Sequence, residues 1–438
     1  MKKRLSKFAL GTATVSLLLV ATVQGISSAS PGSPPGLNWG PAPVLAGAGP
    51  WQIDNNTATV DRACSDTTSG ASCDELVLGM DTTKGHSPFG NFGQSVASRN
   101  EQVNTLADNP NALTPSQIIN AYNFPTTSPS GGLPGTGKTI AIVDAYDDPN
   151  IASDLATFDT QFNIPQLPSC TITATSGPCF QKVGEAGSTT LPAFDEGWAS
   201  EISLDVEYAH AVAPGASILL VEATTNGTVN LMRNIAYAAT KAQYVSMSFG
   251  QPDSSSDKSL DGAFVRTGVS FFAAAGDAGL GAEWPSVSPK VISVGGTTLN
   301  LTSSGSVSSE TGWVNGGGGC SAYETAPAAQ TAYPTYAQAN CAGMRATPDV
   351  AADADPNTGA IAYDSNDYGG TTGWYTAGGT SLATPILAAR AADSGVIVNP
   401  AYVYGTNSIK FNDITTGGNA AGCLVGYDMC SGLGSWNN

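Results

Sequence analysis

The sequence predicts an α/β protein with a mainly parallel sheet and helices on both of its faces. Short, uninterrupted apolar runs recur along the chain, each of the length and character of a strand buried on both sides. Stretches with helical apolar spacing lie between several of them, and strands alternating with helices build parallel sheets.

The first 30 residues read as a secretory signal. Lys2, Lys3, Arg4 and Lys7 make its basic region, residues 8–23 are apolar, and Ser27-Ser28-Ala29-Ser30 offers small residues for cleavage. No later stretch is long and apolar enough to span a bilayer. A secreted, extracellular protein without a membrane partner is expected. Residues 31–110 are rich in Pro, Gly, Asn, Ser and Thr and weakly periodic, which suits an extension wrapped on the main domain or partly mobile. Residues 31–112 are therefore set apart as an N-terminal extension or short pro-segment, and 113–438 as the main domain.

That domain opens with Leu113-Thr114-Pro115-Ser116-Gln117-Ile118-Ile119, where a cap, a first-turn Pro and apolar spacing predict a helix start. A buried strand is expected over 139–144, followed by a helix over 152–162. Further strand-like runs are 217–222, 244–248, 269–274 and 291–294, and helical patterns cover 199–211, 228–241 and 256–267. In such sheets, chemistry gathers in the loops beyond the carboxyl ends of the strands. Asp144, Ser248 and Asp277 each end or follow such a run.

The chain of 438 residues is long enough for a full core, and its net charge of −18 disfavours nucleic acid and anionic membranes as partners. An acidic surface poor in Lys suits low pH, and generic solubility explains it equally well. Cysteines stand at 64, 73, 170, 179, 320, 341, 423 and 430. An even number in an exported chain implies disulfides. Proximity favours 64–73, 170–179, 320–341 and 423–430, with other connectivities formally open. No Cys/His cluster suggests zinc.

One stretch organises the functional reading: Gly378-Gly379-Thr380-Ser381-Leu382-Ala383-Thr384-Pro385, between a strand-like run and an apolar, Ala-rich one. Two glycines permit a sharp turn and a close approach to a ligand. Ser381 then falls near a helix N-terminus, where free N–H groups favour a developing negative charge. That is what a serine nucleophile needs, although a helix cap is the plainer reading of Ser381 alone. Of the two histidines, His86 lies in the extension, and on a helix His210 points away from Glu201 and Asp205. A Ser-His-Asp arrangement is therefore hard to build. Glu201 and Asp205, four apart, share a helical face set among Trp198, Ile202, Leu204 and Val206. Two carboxyls in a poorly solvated place share a proton and titrate as a pair, which makes Glu201 a usable base. Asp277, between Gly276 and Gly279, is by itself an ordinary turn residue, or a protonated donor to an oxyanion.

Together these pieces resemble the sedolisin family of serine-carboxyl peptidases, acid-active relatives of the subtilisin fold. The matching motifs are Glu201-x-x-x-Asp205, Ala275-Gly276-Asp277-Ala278-Gly279 and Gly379-Thr380-Ser381-x-x-x-Pro385, with Ala213-Pro214-Gly215-Ala216, Val294-Gly295-Gly296-Thr297 and Pro348-Asp349-Val350-Ala351 in support. The resemblance spans about 113–435 and implies a subtilisin-like sheet. It implies Ser381 as nucleophile, Glu201 as base, Asp205 as its partner and Asp277 as oxyanion stabiliser. Ser246, Ser248 and Gly250 would form the strand edge that meets an extended peptide, with Gly316 and Gly317 part of the cleft. Asp413 and Asp428, with the carbonyls of Ile414, Leu424 and Gly426, would hold one structural Ca²⁺, a hard cation suited to all-oxygen ligation. A monomer acting on protein or peptide substrates is expected. The alternatives are an inert relative that binds peptides without cutting, and subtilisin chemistry on Asp144. The latter lacks a His-Gly-Thr-like segment downstream.

Overall fold

A computed structural model describes residues 58–64, 70–80, 109, 111–129, 131–173, 177–368, 371–405 and 410–437. All belong to one unit, Pro35–Asn438. The expected signal, His86 and most of the extension lie outside the described residues.

The extension contributes β1 (Ala58–Arg62), β2 (Ser72–Cys73) and β3 (Leu76–Met80). The main domain opens with α1 (Pro115–Ala121), where Thr114 and Gln117 form a reciprocal capping box. Next come β4 (Thr139–Ala145), α2 (Ile151–Phe162), β5 (Phe180–Val183), α3 (Glu196–Val212), β6 (Ser217–Ala223), α4 (Thr228–Ala238) and β7 (Tyr244–Met247). They are followed by β8 (Phe249–Pro252), β9 (Ser270–Ala274), β10 (Glu283–Trp284), β11 (Ile292–Leu301), β12 (Val307–Gly312), β13 (Gly319–Thr325), β14 (Met344–Thr347) and β15 (Val350–Asp353). The chain closes with β16 (Ala360–Tyr368), β17 (Thr371–Gly378), α5 (Thr380–Ser394), β18 (Lys410–Asn412) and β19 (Ser435–Asn437).

The central sheet runs β18-β19-β15-β11-β9-β7-β4-β6-β5, with β12 added to β11. Strands β19 through β5 in that order pair in parallel, and only β18 and β12 join antiparallel. In β4, every residue but the first is buried, as its continuous apolar run requires. Helices α3 and α5 pack against each other, α5 lies along β7, β9 and β15, and α4 lies on β4 and β6. This packing brings the two helices that carry the functional candidates into direct contact.

The four disulfides pair as proximity favoured: Cys64 with Cys73, Cys170 with Cys179, Cys320 with Cys341 and Cys423 with Cys430. The helix expected over 256–267 is not formed. Two 3₁₀ turns, Asp257–Ser259 and Asp261–Phe264, stand there instead. Asp257 accepts the Ser254 N–H and hydroxyl, and Asp261 accepts the Ser288 hydroxyl. Such side-chain bonds offer the backbone an alternative to the helix. The described part of the extension is wrapped on the domain: β3 pairs with β1 and β17, and β2 pairs with β8.

Candidate active site

Ser381 stands in the first turn of α5, two residues after Gly379, whose φ of 88° lies in the left-handed region that favours glycine. Its Oγ donates to Glu201 Oε2 at 3.0 Å, and the Ser248 carbonyl is a second acceptor at 3.3 Å. Pro385 has no N–H for the Ser381 carbonyl, and the Ser248 hydroxyl approaches that carbonyl at 3.5 Å.

Glu201 and Asp205 project from one face of α3 and are fully buried. Asp205 Oδ1 accepts the Ser248 hydroxyl at 2.8 Å. Burial holds both carboxyls well above the usual carboxylate range; the neighbouring carboxyls of Asp205, Glu75 and Asp144 raise Glu201 further, and those of Asp144 and Glu75 raise Asp205. Glu201 Oε1 and Asp205 Oδ2 have no other hydrogen-bond partner, which leaves room for one proton shared between them.

Asp277 follows β9 at the carboxyl end of the sheet. Its Oδ1 accepts both the N–H and the hydroxyl of Thr380, at 2.8 and 2.9 Å, while Oδ2 has no partner. Burial pushes its carboxyl up to about 7, against the opposing effect of the Thr380 bonds. Thr380 in turn accepts the Gly276 N–H, so it ties the Asp277 loop to the start of α5. A Cβ added to Gly379 would collide with the Asp74 carbonyl and fall 2.5 Å from Asp277 Oδ2. The Ser381 N–H also points to that carbonyl, at 3.1 Å. An unpartnered carboxyl oxygen and a backbone donor thus flank one carbonyl-sized position beside the Ser381 hydroxyl.

Of the residues expected to meet a substrate, Gly250 and Ser248 lie on β8 and just before it, along the side of the strand that β2 and the Asp74 N–H occupy. Gly317 donates its N–H to the Gly276 carbonyl, and a Cβ on it would collide with the Ala275 carbonyl, so Gly316 and Gly317 flank the Asp277 loop. Ser246 is placed differently. It pairs with Ile142 on one side and Phe272 on the other, so its backbone is consumed inside the sheet. His210 is likewise remote, with Nε2 2.9 Å from the Pro165 carbonyl and 3.4 Å from Asp159.

The loops that carry Asp413 and Asp428 meet. Asp413 Oδ2 accepts the Gly426 N–H at 2.8 Å, and Asp428 accepts those of Leu424, Cys430 and Ser431. The carbonyls of Ile414, Leu424 and Gly426 accept no hydrogen bond among the described residues. Two carboxylates and three uncommitted carbonyls form an all-oxygen donor set, which fits a calcium ion.

Sequence reading overlooked four residues of the centre: Asp74, Glu75, Asp144 and, as an orienting group, Thr380. Asp144 ends a strand run in the sequence and suggests there only a rival triad; in the structure it is fully buried with both oxygens unpartnered. Glu75 accepts the Ser200 hydroxyl at 3.1 Å, one residue before Glu201. The cysteine spacing around Asp74 was the available signal. A separate buried carboxyl group, Asp148, Asp154 and Asp364, also went unread.

The subtilase family matches residues 188–398, a stretch that holds Glu201, Asp205, Asp277 and Ser381. The chain is 32% identical over 406 residues to kumamolisin of Bacillus sp. (strain MN-32), covering 82% of this chain and 68% of kumamolisin. It is 34% identical over 177 residues to sedolisin of Pseudomonas sp. (strain 101), covering 35% of this chain and 28% of sedolisin. The solved structure of Pseudomonas sedolisin, a serine-carboxyl proteinase complexed with two molecules of pseudo-iodotyrostatin, superposes with a TM-score of 0.61 at 25% identity. That superposition covers 74% of this chain and 95% of the solved one.

Proposed function

Because the chain belongs to the sedolisin family and is a serine-type peptidase, we propose that it is a secreted, acid-active endopeptidase working through an acyl-enzyme on Ser381. The observation that carries this reading is the 3.0 Å bond from Ser381 Oγ to Glu201 Oε2.

In the proposed mechanism, Ser381 Oγ attacks the substrate carbonyl and passes its proton to Glu201. With the shared proton on Asp205, Glu201 is free to accept. The negative oxygen that forms is met by the Ser381 N–H and by a protonated Asp277 Oδ2. Glu201 returns the proton to the leaving amine, and water releases the acyl group by the reverse path. Asp277 donates only while uncharged, which sets the acid preference. Peptide substrates would pair with the edge formed by Ser248 and Gly250.

Asp413 and Asp428, with the carbonyls of Ile414, Leu424 and Gly426, would hold one calcium ion. The ion's contribution is cross-linking of the two C-terminal loops, outside the chemical steps. Residues 1–30 would direct export, 31–112 would serve as an N-terminal extension or short pro-segment, and the protein would act as a monomer on proteins or peptides. Incubation of a denatured protein with the wild-type chain and with Ser381→Ala at acid pH tests the reading. Peptide products by mass spectrometry from the wild type alone are expected. Intact substrate in both would favour an inert, peptide-binding relative.

A further inference from the structure

The peptidase reading acquires a substrate within the chain itself. Residues 72–76 cross the catalytic centre as an extended peptide. On the N-terminal side, Ser72 pairs antiparallel with Gly250 and Cys73 with Phe249. The Asp74 N–H then donates to the Ser248 carbonyl at 3.2 Å, and the Asp74 carbonyl receives the Ser381 N–H at 3.1 Å. On the other side, Leu76 pairs with Gly378, three residues before the nucleophile. Strand addition of this kind is how an extended peptide docks on an open sheet edge. Here it runs unbroken across Ser381, and the carbonyl in the oxyanion position belongs to Asp74. The bond that follows it joins Asp74 to Glu75.

The same hairpin holds both sides of that bond. The Cys64–Cys73 disulfide fastens the residue before Asp74 to the end of β1. Strand β1 pairs over five positions with β3, which carries the chain beyond Glu75, and the Ala63 N–H bonds the Glu75 carbonyl. Asn226 brackets Ala71 through both backbone groups, and Glu75 is anchored by Ser200. The Asp74 side chain is buried beside Gly250, with Arg62 Nη1 at 3.8 Å. The new ends made by a cut would thus remain on one clamped hairpin.

We propose that the Asp74–Glu75 peptide bond is this enzyme's self-processing site, and that the disulfide-clamped hairpin is a substrate-like inhibitor that lingers in the cleft after the cut. Ser381 Oγ adds to the Asp74 carbonyl carbon, with its proton going to Glu201. The C–N bond then breaks, the Glu75 nitrogen takes that proton, and water hydrolyses the Asp74 ester to a carboxyl and free Ser381. The inference rests on the peptidase reading and adds the bond, the residue at the cleavage position and the clamp.

The full chain and its Ser381→Ala variant are held at acid pH and followed by intact mass and N-terminal sequencing, with turnover of a denatured protein recorded in parallel. A new N-terminus at Glu75 is expected in the wild type only, with turnover appearing after a lag. Replacing both Cys64 and Cys73 with Ser should shorten that lag at least about tenfold, because the acyl side loses its covalent fastening. Turnover with the Asp74–Glu75 bond intact would overturn the proposal and leave the peptidase reading standing. The same N-terminus in Ser381→Ala would assign the cut to another protease and overturn self-processing. If neither the denatured protein nor the chain itself is cut, the peptidase reading fails as well. Should the cysteine variant not fold, the N-terminus of the wild type decides alone.

Discussion

Ser381 and Glu201 are 180 residues apart in the chain and joined by a 3.0 Å hydrogen bond at the contact between α5 and α3. The acceptor is a carboxyl in a fully buried place, beside a second carboxyl on the next turn of the same helix. A glutamate in that setting can do for a serine what an imidazole does elsewhere, provided that a proton is shared with Asp205.

Ser381→Ala should abolish turnover and leave the melting temperature close to that of the wild type. Glu201→Gln should lower kcat by about 10²- to 10⁴-fold, the usual contribution of a positioned base. Steady-state kinetics on a quenched peptide, beside thermal melts of each variant, make the check. Full turnover by a folded Ser381→Ala protein would exclude the mechanism.

Activity should fall as pH rises through about 7, where Asp277 loses its proton. Asp277→Asn keeps a donor at every pH, so it should extend activity toward neutrality while losing part of the maximal rate. The measurement is kcat/KM against pH for both proteins within their folded range. An alkaline limb that does not move in an active Asn variant would point to the Glu201/Asp205 pair instead.

Calcium should raise the melting temperature in a concentration-dependent way, since an ion that binds only the folded state stabilises it by about 2.7 kcal/mol at a hundredfold excess over Kd. Asp428→Ala also removes the acceptor for the Leu424, Cys430 and Ser431 N–H groups, so its melting temperature should start lower. The decisive readout is its lost response to added Ca²⁺ and to chelator. An equal response in wild type and variant would place any ion elsewhere.

Stability should be greatest in acid. Burial raises Asp144 and Glu75 to about 8, Glu222 to about 9, Asp364 to about 7 and Asp154 to about 6. The unfolded chain releases these protons near pH ~4, so from there upward the folded state binds more protons. Stability contributed by these groups is complete below pH ~4 and is lost as pH rises through the folded values. Melts of the Ser381→Ala variant from pH 4 to 9 should show a declining melting temperature, with a shallower decline after Asp144→Asn. A melting temperature that climbs over this interval would contradict the assignment.

Most of the sheet was legible because its signals are local. The run 139–144 became β4 almost residue for residue, and a cap followed by a first-turn Pro placed the start of α1. Glu201 and Asp205 share a face because helical periodicity alone puts them there. The 3₁₀ turns at 257–264 departed from their apolar pattern because Asp257 and Asp261 found Ser254 and Ser288 as partners.

The sequence by itself determined the α/β alternation, the serine at a helix start and the paired carboxyls, and favoured the disulfides between near neighbours, all through periodicity and short spacing. Only the tertiary structure decided that Ser246 is enclosed between two strands, that Thr380 holds Asp277, and that 72–76 lies across Ser381. Each of those depends on hydrogen bonds between segments far apart in the chain. The Thr380–Asp277 contact joins side chains whose meeting no local spacing encodes. The strand pairings of Ser246 and of 72–76 use backbone groups that every residue carries alike, so side-chain identity does not announce which distant edge they will meet.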